Sequence, residues 1–220
     1  MLTVKSFTFN PYQENTYVIS DASGACAIID PGCYTQPERD QLHAYIGSHK
    51  LQVEKLLNTH GHIDHMMGNR MVKARYQVPF VTHEGVIAEL AAVPAYGAMM
   101  GLQAEPSPDP DVLVAEGDTV SFGDTELEVL FTPGHSAGHI SFFHRASGSL
   151  FSGDVLFYDS IGRTDLPGGS MPVLMDSIFK KLLPLGDEVK VYCGHGPATT
   201  IGRERRQNPF LLHYAQHGQI

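Results

Sequence analysis

Residues 53–66 read "VEKLLNTHGHIDHM", an apolar, strand-like run that passes directly into four potential metal donors, His60, His62, Asp64 and His65. A helical pattern follows. A strand feeding a helix through a loop is the unit from which α/β folds are built, and a donor-rich loop at that junction places chemistry on a rigid scaffold. Alternate residues of a strand point to one side, so His60 and His62 can converge on one ion as the chain leaves "LLNT". Asp64 and His65 are adjacent and require the chain to turn, and the expected turn is the first of a helix in "HMMGNRM". Imidazole and carboxylate suit zinc, iron or manganese, whereas thiolates would point to a structural zinc site. From these residues alone, one ion with four ligands and two ions with shared ligands both remain open.

The rest of the chain extends the same style. "LTVKSFTF", "NTYVIS" and "ACAIID" alternate like the strands of a meander, and Leu42, Tyr45 and Ile46 give residues 36–49 helical spacing. Past the motif, Met67, Met71 and Ala74 set a helix face, "VPFVT" reads as a strand and "AEPSPDPD" as a surface loop. "VSFGDTELEVLFT" predicts a hairpin turning at Gly123 and Asp124. "HISFFHR" and "GSLFSGD" are two further strands, a helix is expected over 171–183, and "EVKVYCG" reads as the final buried strand. The expected class is α/β, with two sheets packed face to face and helices outside. "LLNTHGHIDH" and "VLFTPGHSAGH" echo each other, either as duplicated halves or by coincidence; a duplication requires equivalent places in the two sheets.

Composition narrows the partners. Hydrophobic residues make up 42% and charged residues 18% of the 220, as in folded chains, and one domain spanning 1–220 is expected. A net charge of -9 argues against a nucleic-acid binder, because phosphate affinity comes from clustered Lys and Arg. The only basic run, "GRERR" at 202–206, reads as a solvated helix face or as a clamp for a substrate carboxylate. Cys26, Cys33 and Cys193 are odd in number and lack C-x-x-C spacing, which fits a reducing compartment. No signal peptide is legible, and no apolar run reaches the ~18 residues of a membrane span. The expected location is cytoplasmic.

Three further donors sit where apolar runs end: His135 in "TPGHSAGH", Asp154 in "FSGDVLF" and His195 in "YCGHGP". Here the chain resembles the metallo-β-lactamase superfamily, whose signature T-H-x-H-x-D-H is matched by "THGHIDH", with Asp30 in "DPG" and the three later donors in the family's order. The resemblance implies an αββα sandwich with two divalent metal ions per chain, zinc first and iron or manganese as alternatives. It assigns His60, His62 and His135 to one ion and Asp64, His65 and His195 to the other. Asp154 would bridge the two with a water-derived hydroxide, and Asp30 would orient a ligand histidine or a strained turn. His43, His49, His83, His139, His144, His213 and His217 are read as structural, with His139 the least settled. Cys193 shares strand parity with His195 and is read as a buried apolar cysteine.

Two cations ~3.5–4 Å apart favour hydrolysis, since they can activate a water and polarise an acyl or phosphoryl oxygen. Asp64 and Asp154 are then the catalytic carboxylates. The metals alone do not select among amides, phosphodiesters, lactones and thioesters. "SIGRTDLPGGS" and "CGHGPATTIGRERRQNPF" resemble the short bacterial type II glyoxalases, or hydroxyacylglutathione hydrolases, with "AYGAMMGL" as a loop over the cleft. The implied substrate is a small thioester such as S-D-lactoylglutathione, cleaved to D-lactate and free thiol. Arg163 falls where longer members place a glutathione-contacting lysine, so it is either a carboxylate anchor or a surface residue paired with Asp165. The extra helical domain of those members is not matched, which leaves the thiol carrier open. The rivals are a mononuclear-iron persulfide dioxygenase and, less favoured, a nuclease or a non-catalytic metal-binding module.

Overall fold

The computed structural model describes residues 1–218, which divide into two compact units. The first holds Met1–Val114 with Val120–Glu126, and the second holds Ala115–Thr119 with the chain from Leu127 onward. Both sheets are mixed, and the class is α/β.

The first sheet has the order β1 (Thr3–Phe9), β2 (Glu14–Ser20), β3 (Ala25–Ile29), β4 (Gln52–Leu57), β5 (Phe80–Thr82), β6 (Val112–Leu113). Strands β1 to β3 form the expected antiparallel meander, and β3 to β6 run parallel. Every residue of β2 and β3 is buried, so both faces of these strands are covered, and β3, ACAII, is apolar throughout. The β3-to-β4 crossover is α1 (Gln36–Ser48), which buries Leu42 and Ile46. Its start is fixed by Glu38, whose carboxylate accepts from the N–H groups of Thr35, Tyr34 and Asn10 at 2.7–2.9 Å. Leu42 joins Phe9, Ile28, Leu56 and Phe80 in this unit's core, each contributing about 1.5–3 kcal/mol relative to exposure.

Two helices of this unit depart from expectation. Asp64 and His65 lie on a separate 3-10 turn, Ile63–His65, and α2 (Asn69–Tyr76) begins only after Gly68. Gly68 donates to the Pro31 carbonyl at 2.6 Å, and a Cβ there would stand 2.5 Å from the Cys33 sulfur, so the chain must pass this point before coiling. Of the predicted Met67–Met71–Ala74 face, Met67 is buried and Met71 packs against the core, whereas Ala74 is exposed and Asn69 and Val72 are the helix's buried residues. "AYGAMMGL" is not a loop: α3 (Ile87–Met99) continues through Pro94 to Met99. Leu90, Val93 and Gly97 form its buried stripe, and that burial sustains the helix past a proline. Residues 102–110 follow without regular structure.

The second sheet has the order β14, β13, β10, β9, β8, β7. β7 (Thr119–Phe122) and β8 (Thr125–Phe131) make the predicted hairpin, with Gly123 at φ 48°. β9 (Ile140–His144) is antiparallel to both β8 and β10 (Ser149–Gly153). A two-stranded arm, β11 (Leu156–Phe157) with β12 (Ser160–Ile161), follows β10. The helix expected over 171–183 is α4 (Met171–Ser177), extended by a π-helical stretch, Ile178–Leu182. β13 (Lys190–Cys193) lies parallel to β10, and the two-residue β14 (Thr199–Thr200) extends the sheet beyond it, so "EVKVYCG" is not the last strand. α5 (Ile201–Gln207) and α6 (Pro209–His217) close the described chain. Leu150, Leu174, Ile178, Val191 and Leu211 mark this unit's core.

The motif echo does not extend to structure. β4 lies between parallel neighbours, whereas β8 is antiparallel to β9. Among the described residues no helix is long and apolar enough to cross a membrane.

Candidate metal centre

In the first unit His60, His62, Asp64 and His65 come together at the end of β4. His60 and His65 are fully buried, and the His60 ring lies 4.8 Å from His62 and 4.2 Å from His65, centroid to centroid. Asp30, at the end of β3 with φ 48°, organises the cluster. Its carboxylate accepts from the Thr59 N–H at 2.7 Å, the Thr59 hydroxyl at 2.6 Å and the Asn58 amide at 3.2 Å, and lies 3.2 Å from His65 Nδ1. Thr59 Oγ1 is also 2.9 Å from His60 Nδ1. With Nδ1 of both rings engaged, Nε2 is the nitrogen each offers an ion. Ligand atoms of Asp30, His60 and His65 lie within 4.8 Å of one another.

The turn itself is tied by amides. Asn58 donates to the His65 carbonyl at 3.0 Å, Asn69 to Asn58 Oδ1 at 2.6 Å, and Asn10 to the Asp64 carbonyl at 2.9 Å. Gly61, between the first two histidines, donates its N–H to Glu89 of α3 at 2.8 Å. Glu14 is a buried acid beneath this turn, with Oε2 accepting from Thr16. Burial pushes its carboxyl well above the usual range, and the nearby His65 pulls the other way. Nothing in the sequence singled Glu14 out, since a glutamate opening a strand has no distinctive pattern.

In the second unit His135, Asp154 and His195 come together. His135 follows β8 in a loop pinned against α4: Ser170 donates to the Gly134 carbonyl at 2.8 Å and Ser177 to the Pro133 carbonyl at 2.7 Å. Gly134 sits at φ 128°, and a Cβ there would meet the Leu174 backbone at 2.2 Å. Asp154 Oδ2 stands 3.5 Å from His135 Nε2 and 3.5 Å from His195 Nε2. His135 Nδ1 donates to the Arg163 carbonyl at 2.8 Å, which again presents Nε2. Asp154 donates its main-chain N–H to His139 Nε2 at 3.1 Å, a contact the sequence hinted at only through the four-residue spacing from His135.

The Arg163 side chain pairs with Asp165 through two bonds, at 2.7 and 2.8 Å, and is 60% exposed. This pairing holds Asp165 down at about 2. The basic run is neither a bare solvated face nor an open clamp. Arg203 grips Asp159 with two bonds, Arg205 and Arg206 pair with Asp187, and Glu204 is fully buried. Cys193 is buried, and burial pushes its thiol up to about 12.

The residues of both clusters fit a divalent ion. Two donors on one tetrahedral ion with bonds of ~2.0–2.2 Å stand roughly 3.3–3.6 Å apart. The His135–Asp154 and His195–Asp154 separations of 3.5 Å, and the His65 Nε2–Asp64 Oδ2 separation of 3.6 Å, match that spacing. The donors are nitrogen and oxygen, which suit zinc, iron and manganese alike.

Residues 9–195 match the model described as the metallo-beta-lactamase superfamily. The chain belongs to that superfamily. It is 37% identical over 204 residues to "Probable metallo-hydrolase YqgX" of Bacillus subtilis, covering 91% of this chain and 93% of that one. It is 36% identical over 212 residues to "Hydroxyacylglutathione hydrolase GloC" of Haemophilus influenzae, covering 96% and 98%. Among solved structures, BLEG-1 B3 metallo-beta-lactamase superposes with a TM-score of 0.88 at 34% identity, over 95% of this chain and 99% of that one. TTHA1623 in a di-iron-bound form superposes with a TM-score of 0.85 at 36% identity, over 94% and 100%. The protein therefore has the metallo-β-lactamase fold and is a metal-dependent hydrolase of this superfamily.

Proposed function

We propose that this superfamily member is a cytoplasmic thioesterase that hydrolyses a small hydroxyacyl thioester, such as S-D-lactoylglutathione, to a hydroxy acid and a free thiol. The chain acts as a single domain over residues 1–220. His60, His62 and His135 hold one ion, Asp64, His65 and His195 hold the other, and Asp154 serves both. The observation that carries the reading is the Asp154 carboxylate oxygen set 3.5 Å from each of two histidine nitrogens, the arrangement of a shared ligand. The match to a hydroxyacylglutathione hydrolase supports the substrate class.

When bound, the two ions supply an activated water and polarise the acyl oxygen. Zinc is the expected ion, and the di-iron form of one similar structure keeps iron in view. The protein's own part is orientation. The Arg163 carbonyl holds the His135 tautomer, and Asp30 holds Thr59 and His65, so donor atoms meet an ion without reorganising. A thioester suits such a site because a thiolate, with an ordinary thiol pKa near ~8.5, leaves without a dedicated acid. The exposed Arg163 is the proposed anchor for a substrate carboxylate.

Hydrolysis of S-D-lactoylglutathione by metal-loaded protein, with His60→Ala and Asp154→Ala as inactive controls, tests the reading. Turnover lost in both variants is expected; no turnover by loaded wild type overturns the glyoxalase reading. The similarity to a B3 metallo-beta-lactamase favours a second reading, opening of a cyclic amide, and a chromogenic β-lactam assayed in parallel separates the two. Metal analysis tests the dioxygenase alternative: about two ions per chain supports the hydrolase, whereas a single iron with oxygen uptake on a persulfide overturns it.

A further inference from the structure

We propose that His139 is the positioning residue for the Asp154 carboxylate, acting through the Asp154 main chain. The inference rests on the metal centre proposed above, and it concerns a histidine that the motif spacing leaves outside the ligand set.

Asp154 is the first residue past β10, where the strand ladder no longer supplies partners; the last ladder contact nearby is Gly194 N–H to the Gly153 carbonyl at 2.8 Å. Its N–H is met instead by His139 Nε2 at 3.1 Å. A main-chain N–H can only donate, so Nε2 must accept, and the ring proton is on Nδ1. Nδ1 faces Thr132 Oγ1 at 3.1 Å, and that hydroxyl lies 2.9 Å from Ser141 Oγ. Thr132 also donates its N–H to the His139 carbonyl at 2.9 Å, so the backbone beneath the ring is fixed from the same residue. His139, Thr132 and Ser141 are all fully buried. The chain Ser141–Thr132–His139–Asp154 thus sets one tautomer and one ring position. It fixes the peptide from which Oδ2 reaches both His135 and His195. A ligand constellation works only when held to about 0.5 Å, and this peg fixes the main chain from which its central carboxylate projects.

The two amide replacements separate positioning from space filling. In His139→Gln the side-chain oxygen reaches where Nε2 stood and can still accept from Asp154. In His139→Asn the amide reaches only the Nδ1 position, so it keeps Thr132 and loses Asp154. Zinc affinity by chelator competition is expected to fall about 10- to 100-fold in the Asn variant and to stay near wild type in the Gln variant. Exchange of the Asp154 amide hydrogen should quicken in the Asn variant alone. Equal affinities in the two variants, or wild-type affinity in Asn, overturn the inference. Should the Asn variant fail to fold, Thr132→Val frees the ring tautomer while preserving shape; weaker zinc binding supports the peg and unchanged binding overturns it. Wild type that takes up no metal overturns both this inference and the proposed function, whereas a loaded wild type with an unaffected Asn variant overturns the inference alone.

Discussion

His135 is oriented by the main chain of Arg163: its Nδ1 donates to the Arg163 carbonyl at 2.8 Å, while the Arg163 side chain is committed to Asp165. Two properties of one residue are thereby separable. A side-chain substitution leaves the carbonyl where it is, so the metal ligand keeps its tautomer. Arg163→Ala is therefore expected to raise KM for the thioester more than it lowers kcat, with metal content unchanged. An unchanged KM removes Arg163 as a carboxylate anchor.

The same ion pair makes a pH prediction. Arg163 holds the Asp165 carboxyl at about 2, below its usual value of 3.8. A depressed carboxylate favours the folded pair at any pH above the usual value, and that contribution is lost as pH falls through the folded value. NMR titration should place Asp165 near 2 in wild type and return it toward 3.8 in Arg163→Ala. No change between the two proteins would mean the pair does not persist in solution.

Gly162, next in line, tolerates no side chain. A Cβ there would stand 1.9 Å from the Asp154 carbonyl oxygen and 3.1 Å from His135 Nδ1. Both neighbours belong to ligand-bearing segments, so relief of the clash must displace the site. Gly162→Ala should lower kcat/KM about a hundredfold, the scale of a 1 Å misplacement, in a protein that still folds. Activity near wild type would show that the loop yields without cost to the ligands.

Asp30 combines charge with a left-handed backbone, φ 48°. Asparagine adopts that conformation readily, so Asp30→Asn removes the charge without straining the turn. The variant keeps one side-chain oxygen, loses the anionic partner of His65 and turns an amide donor toward groups that now donate to the carboxylate. Metal affinity should fall about 10- to 100-fold, with a lower thermal midpoint because buried donors lose an acceptor. Asp30→Ala should cost more stability, since it adds backbone strain; a reversed order of midpoints would contradict that account.

The three cysteines are buried, and burial pushes each thiol up to about 12. Thiolate is the reactive form, so native protein at pH 8 should be inert to a disulfide reagent and release three equivalents only in denaturant. Rapid labelling of the native state would place a cysteine on an opening segment.

Much of this was legible in residues. β3 announces itself because a strand buried on both faces carries a continuous apolar run, β4 ends in the buried Leu56 and Leu57, and the donors His60, His62, His135 and His195 stand at strand ends where such runs stop. The α2 face was legible in part: Met67 and Met71 meet the core, but Gly68, held against Pro31 and Cys33, delays the helix, so Ala74 is exposed and Val72 is buried in its place. α3 was misread because Pro94 and Gly97 signal interruption locally, whereas Leu90 and Val93 find enough burial to carry the helix on. His139 was passed over for a different reason. Its partner is a main-chain N–H, and a group present in every residue leaves no mark on residue type.

The parallel pairing of β10 with β13 bears on the order in which the protein is made. The His60–His65 cluster is local in sequence and complete within the first unit. The strand before Asp154 is registered first against β9, and its other flank closes only when Phe151 meets Tyr192, after the α4 crossover has been synthesised. Pairing over such a separation is slow compared with local contacts. A nascent chain thus displays its histidine-rich turn well before Asp154 and His195 are brought together, and closing β13 onto β10 is a late event of biogenesis that completes the second sheet's own donor cluster.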